Sequence, residues 1–372
     1  MRGRRLLLAA ALCACGGKPD ADKDQPVPVA PSAAELHFEG RFDRTEPAAP
    51  RFQWPGSAVR VRFDGTGIKV QLAERSFEKD EYGQVAHNWY DVTIDGNPAP
   101  PFQALEGKQT YTLAAALPRG EHQVVVRKRT EAFVGEGALT GFELEPGAKL
   151  LPASAPARRI EFIGDSITAG FGVEGKDASC LFSAETENYS RTYAALTAAA
   201  LDAEQIAVAS AGVGVFRNWR GGNDNTIGEL YVRTLPTQTS SRWDFSNWTP
   251  DAVVINLGTG DFTSGDPGRD VFVAAYRQLL ARVRQNYPSA LIVVGVGPML
   301  SDLWPQGAQA LTRGRGYISE VVGAASDARI KLIEFPNQDA ASSFGCKTHP
   351  SAATQQQMAE QLTGFLRHEL AW

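Results

Sequence analysis

The stretch Glu161-Phe162-Ile163-Gly164-Asp165-Ser166-Ile167-Thr168 decides how the rest of the chain is read. Residues 160–163 form a short, mostly apolar run in which Glu161 is the one polar residue, close to the pattern of a strand covered on both faces. Gly164 and Asp165 end that run, so Ser166 falls at the carboxyl end of the strand, where open parallel sheets bind their ligands. Near the C-terminus, Lys347-Thr348-His349-Pro350-Ser351 places a histidine just ahead of a helix start. A serine hydroxyl is a poor nucleophile until a base takes its proton, and imidazole is the usual base at neutral pH. Ser166 as nucleophile and His349 as base are therefore the leading catalytic candidates.

Outward from this stretch the same grammar repeats. Apolar segments at 206–208, 252–256, 291–296 and 330–334 alternate with helical stretches near 191–201, 269–285, 308–325 and 352–369. In the last of these, Met358, Leu362, Phe365 and Leu366 share one helical face. Strands alternating with helices in this way predict an α/β/α domain over 158–372, a parallel sheet with helices on both sides. Gly212 and residues 258–261 follow predicted strands at the same end as Ser166.

Residues 36–147 follow a different rule. Val59-Arg60-Val61-Arg62-Phe63 and Tyr90-Asp91-Val92-Thr93-Ile94 alternate with period two, and Asp95-Gly96 closes the second. Short alternating segments broken by such turns predict an all-β, antiparallel sandwich. A jelly roll is the favoured topology, although strand spacing alone does not separate it from an immunoglobulin-like one. Residues 148–157, with Pro152 and Pro156, read as a linker.

The N-terminus carries Arg2, Arg4 and Arg5, then the apolar run 6–12 and Cys13-Ala14-Cys15. A basic start and an apolar core too short to span a bilayer read as an export signal over 1–15. Leu12-Cys13-Ala14-Cys15 resembles a bacterial lipobox, which implies lipidation at Cys15; a plain signal peptide is the alternative. Residues 16–35, rich in Pro, Ala, Asp and Lys, read as a disordered tether. The expected location is the outer membrane, as a lipoprotein facing the periplasm or the cell surface and touching the membrane only through its anchor.

Two of the four cysteines lie in that export segment, leaving Cys180 and Cys346. In an oxidising compartment they are expected to form a disulfide that pins the loop carrying His349; two buried free thiols are the alternative. The net charge of −5, with acids and bases interspersed, argues against a nucleic-acid partner. No Cys/His cluster has metal-ligand spacing among five histidines, so neither a metal nor another cofactor is expected. The protein is expected to act as a monomer.

Gly164-Asp165-Ser166-Ile167-Thr168 departs from the Gly-x-Ser-x-Gly elbow, because Thr168 stands in place of the second glycine. It resembles instead the first block of the SGNH, or GDSL-type, hydrolases. Ser210-Ala211-Gly212-Val213-Gly214 looks like their glycine block, and Asn256-Leu257-Gly258-Thr259-Gly260-Asp261 like their Gly-x-Asn-Asp block. A closer resemblance is to the acetyl esterases of carbohydrate esterase family 2. Phe182-Ser183-Ala184-Glu185-Thr186-Glu187-Asn188, Gly214-Val215-Phe216-Arg217-Asn218-Trp219 and Trp243-Asp244-Phe245-Ser246 carry it, and the front half adds Gly40-Arg41-Phe42-Asp43.

This resemblance implies a jelly roll followed by a flavodoxin-like SGNH domain that removes O-acetyl groups from plant polysaccharides such as xylan or mannan. It assigns Ser166 as nucleophile, His349 as general base, and the N–H groups of Ser166 and Gly212 as oxyanion donors. Two departures stand out. Cys346 and Lys347 replace acidic residues near the histidine, although family 2 members can orient the imidazole with a backbone carbonyl. Gly260 replaces the asparagine whose amide completes the oxyanion hole, so Gly260→Asn is expected to raise turnover. Trp219 and Trp304 are candidates for sugar stacking, and Asn218 for positioning substrate or bracing the glycine loop. The rival readings are a carbohydrate-binding protein with weakened chemistry, prompted by Gly260 and Lys347, and a lipid or peptidoglycan esterase on the same scaffold.

Overall fold

The structure is a computed structural model that describes residues 25–338 and 343–372. The expected signal segment, Cys15 and residues 16–24 lie outside the described residues.

The front half forms two antiparallel sheets. One contains β1 (Val27–Val29), β3 (Arg51–Phe52), β5 (Ile68–Ser76), β8 (Gly107–Ala114) and β10 (Gly135–Leu144). The other contains β2 (His37–Glu39), β4 (Ala58–Gly65), β6 (Asn88–Ile94), β7 (Asn97–Ala104), β9 (Gly120–Lys128) and β11 (Lys149–Leu151). Alternation drives their packing: Val61 and Phe63 of β4 are buried while Arg60 and Arg62 are not, and they join Val70, Leu72 and Phe142 of the opposite sheet in one core. The β6–β7 hairpin turns at Asp95-Gly96, both left-handed with φ of 52° and 79°, the two-residue geometry that matches strand twist.

Two expectations change here, and one strand was not expected. The tether over 16–35 is too long, because Val27–Val29 pair antiparallel with β10, Val27 opposite Leu144. The linker over 148–157 shortens likewise, since Lys149–Leu151 pair with β4. Strand β7 was hidden by Pro98, Pro100 and Pro101; it pairs with β6 alone, and a sheet edge tolerates residues without an N–H.

In the second half, β12 (Arg158–Gly164), β13 (Ala203–Ala209), β14 (Ala252–Asn256), β15 (Leu291–Val296) and β16 (Ile330–Glu334) form a parallel sheet in the order β13-β12-β14-β15-β16. Adjacent strand residues point to opposite faces. Phe162 packs with helices α2 (Tyr193–Ala200) and α7 (Ala352–Leu370), and Ile163 with α5 (Arg269–Asn286) and α6 (Ala310–Ala324). Short helices α1 (Ser166–Ala169), α3 (Ile227–Leu230) and α4 (Thr259–Phe262) interrupt the connecting loops. This is the flavodoxin-like order 2-1-3-4-5, with its switch point between the first and third strands of the domain, β12 and β14.

The two halves share a buried seam. Trp54 of the sandwich joins the core beside Ile163 and Tyr231. The Arg41 guanidinium enters the hydrolase half, donates to Glu161 Oε1 at 2.9 Å and to the carbonyls of Tyr231 and Arg233, and is fully buried with its partner.

Candidate active site

Ser166 opens α1 directly after β12. Asp165 caps the helix, its carboxylate accepting from Ile167 N at 3.0 Å. The turn needs glycine at 164, because a Cβ there would meet Thr168 Oγ1 at 2.0 Å. Burial pushes the Asp165 carboxyl up to about 7, opposed by its hydrogen bonds from Ile167 and Thr259. The residue is thus an anchor of the elbow.

His349 comes from the segment before α7 and meets Ser166 across 183 positions of chain, with Nε2 2.9 Å from Ser166 Oγ. The other ring nitrogen, Nδ1, lies 3.1 Å from the backbone carbonyl of Cys346. That contact fixes the tautomer, with Nδ1 donating and Nε2 free to accept the serine proton. No carboxylate is needed at position 346 for this orientation. The ring also lies against Phe171, centroids 4.4 Å apart. Loss of solvent lowers its pKa to about 4; the backbone bonds of Cys346 and Lys347 oppose this and the Lys347 charge adds to it. Lys347 itself reaches away, its ammonium bound to Glu81 Oε1 of the sandwich at 2.5 Å.

Cys180 and Cys346 are joined, Cα atoms 4.7 Å apart, so the carbonyl that orients the imidazole sits on a cross-linked residue. Lys347 and Thr348 that follow are both left-handed, at φ 52° and 62°.

Gly212 follows β13 with φ of 75°, and a Cβ on it would meet the Trp219 indole at 2.2 Å. Neither the Ser166 nor the Gly212 N–H finds an acceptor among the described residues, and both residues line the same cleft. The loop beyond Gly212 is held by Asp261, whose carboxylate accepts from the N–H groups of Val215, Phe216 and Arg217 at 2.8–3.0 Å. Gly260 lines the cleft too, but a Cβ there would meet the carbonyls of Val213 at 2.7 Å and Gly212 at 3.0 Å. An asparagine therefore does not fit this backbone, and the expected gain from Gly260→Asn is withdrawn.

The cleft has a volume of about 680 Å3, within the usual range of small-molecule sites. Trp219 and Trp304 flank it, 51% and 63% exposed, and Arg220 lies over the Trp219 ring at 4.5 Å. Glu78, Lys79 and Glu81 of the sandwich build one wall, which sequence reasoning missed because a loop wall has no periodicity. Asn218 is not part of the lining. Its amide accepts from Gly214 N at 3.1 Å and donates to Asp224 O at 2.7 Å, so it braces the glycine loop and the substrate-binding reading is corrected. Within the sandwich the void is about 10 Å3, no more than a water's worth. Among the described residues no cluster of His, Cys, Asp or Glu has metal-ligand geometry.

The sequence matches the carbohydrate esterase 2 N-terminal model over residues 38–154 and the GDSL-like lipase/acylhydrolase model over 162–357. A family two carbohydrate esterase from Clostridium thermocellum, solved in complex with cellohexaose, superposes with a TM-score of 0.82 at 39% identity, covering 91% of this chain and 99% of that one. The chain belongs to carbohydrate esterase family 2. Curated relatives show the same likeness. The Cellulase/esterase CelE of Acetivibrio thermocellus is 40% identical over 339 residues, which are 90% of this chain but 39% of that protein's length. An acetylxylan esterase / glucomannan deacetylase of Cellvibrio japonicus is 27% identical over 92% of this chain and 91% of its own.

Proposed function

We propose that this family 2 member is an exported serine esterase that removes O-acetyl groups from plant-type polysaccharides such as xylan or mannan. The observation that carries this reading is the 2.9 Å contact between Ser166 Oγ and His349 Nε2 at the floor of an aromatic-rimmed cleft. His349 Nε2 takes the proton as Ser166 Oγ attacks the acetyl carbonyl, and the Ser166 and Gly212 N–H groups receive the developing oxyanion. His349 then gives its proton to the sugar oxygen, which leaves as an alcohol. Water, deprotonated by the same imidazole, attacks the acetyl-enzyme, and acetate departs with Ser166 restored. The names of the Cellvibrio japonicus relatives, acetylxylan esterase / glucomannan deacetylase, support the choice of substrate. Trp219 and Trp304 stack on the sugar rings. A lipid anchor on Cys15 holds the enzyme at the outer membrane, it acts as a monomer, and the sandwich is a jelly roll, which its two facing antiparallel sheets support.

Gly260 favours one second reading, a binding protein with weakened chemistry, because its lack of a side chain leaves the oxyanion hole without an amide. Acetate release from acetylated xylan and from 4-nitrophenyl acetate separates the two. The esterase reading expects turnover that Ser166→Ala abolishes; equal, slow release by both proteins would sink it.

A further inference from the structure

The segment after β9 reaches from the sandwich into the loop that carries Gly212. Glu131 Oε2 accepts the N–H of Ala211, the residue directly before Gly212. Glu131 and Glu187 are fully buried neighbours, with Glu187 Oε2 accepting the N–H of Glu131 at 3.1 Å, and the Oε1 atom of each has no donor among the described residues. Two carboxylates buried side by side repel each other unless one of them holds a proton. A proton on the pair would also supply a donor that these two Oε1 atoms lack.

The charged groups around the pair are few. The buried Lys128 ammonium donates to the carbonyls of Thr130 and Glu131, and Arg129 lies on Glu174 and Asp91. Burial and the neighbouring Glu187 charge push the Glu131 carboxyl well above the usual range, and burial raises Glu187 to about 7.

Two buried carboxyl groups therefore grip the ends of a segment made flexible by Gly212 and Gly214: Glu131 at Ala211 and Asp261 at residues 215–217. With no amide at position 260, the placement of the Gly212 N–H carries more of the work. We propose that Glu131, holding a proton shared with Glu187, is a positioning residue that sets the Gly212 N–H in the oxyanion hole. Through it the β-sandwich takes part in catalysis. The inference rests on the reading of Gly212 as an oxyanion donor.

Steady-state kinetics on the full chain with acetylated xylan and 4-nitrophenyl acetate test it. Misplacing a catalytic group by an ångström costs on the order of 10²-fold in rate, so Glu131→Ala is expected to lower kcat at least about fivefold with little change in KM. Glu131→Gln offers an oxygen to Ala211 and an N–H to Glu187, mimicking the protonated acid, and is expected to recover at least about half of the wild-type kcat. Glu131→Asp, one methylene too short to reach Ala211, should behave like Ala. A folded Glu131→Ala with a smaller kcat loss, or a Gln variant as slow as Ala, overturns the proposal. If the Ala variant does not fold, equal kcat for the Gln and Asp variants overturns it. Ser166→Ala is run alongside. Activity surviving there defeats the serine-esterase reading itself, whereas a dead Ser166→Ala with a normal Glu131→Ala defeats only the role of Glu131.

Discussion

Position 260 shows how a single side chain and its backbone are coupled. The Gly212 and Val213 carbonyls approach Gly260 so closely that any Cβ must push them aside, and those carbonyls belong to the loop that presents the Gly212 N–H. Gly260→Asn is therefore expected to lower kcat, because an added amide does not offset a displaced donor worth on the order of 10²–10³ in rate. Higher turnover with unchanged stability would show that the loop gives way freely. His349 sets a second expectation. Its pKa of about 4 keeps the imidazole neutral through the mildly acid range, so kcat/KM should stay level from neutral pH down and fall only near pH 4. The sign for stability follows from the same shift. An imidazole harder to protonate in the fold than in the unfolded chain costs nothing above pH 6.5, and it opposes folding increasingly between 6.5 and 4. A kinetic limb near pH 6.5 would contradict the burial argument. Ser166 and His349 were legible in the sequence because a short apolar strand and a helix start bracket them. The fit at 260 was not, since it depends on carbonyls some 47 positions earlier in the chain.

At the scale of elements, long apolar strands declared themselves and short edges did not. Strands β14, β15 and β16 match their predicted limits: β14 and β15 are buried along their whole length, and β16, at the sheet edge, still buries Ile330 and Ile333. Strands β1 and β11, three residues each, exist through pairing with β10 and β4, and nothing in their own composition announces a partner. The turn 346–348 is a similar case. Two left-handed non-glycine residues cost free energy, and the Cys180–Cys346 bond holds the segment against that cost. Closing a loop of 166 positions restricts the unfolded chain, and a disulfide of this kind contributes about 2–4 kcal/mol. Cys180→Ser should lower the urea midpoint accordingly and also reduce kcat, because the Cys346 carbonyl orients His349. An unchanged midpoint would show that packing alone fixes the turn.

At the scale of the molecule, the Arg41–Glu161 pair ties the sandwich to the strand that ends in Ser166. Nothing in the sequence pairs the two, since 120 positions separate them and only folding brings the charges together. Both side chains are fully buried, and the Tyr231 and Tyr287 hydroxyls supply the remaining contacts to the carboxylate at 3.2 and 3.4 Å. Removing one partner of such a pair strands a charge and costs about 3–5 kcal/mol, so Arg41→Met should destabilise both halves together. Burial already raises the Glu161 carboxyl against the pull of Arg41, and without the guanidinium it rises further. A raised acid favours folding fully below its unfolded value of 4.5 and loses that contribution as pH climbs through the folded value. The deficit of Arg41→Met should therefore be largest at neutral pH and shrink toward pH 4.5. Adding Glu161→Gln removes the stranded charge while the two tyrosines still find an acceptor. The double variant should recover part of the loss at pH 7 and little at pH 4.5. Denaturant midpoints at the two pH values decide the matter: a deficit independent of pH, undiminished in the double variant, would mean that Arg41 holds the seam through the Tyr231 and Arg233 carbonyls and not through its charge.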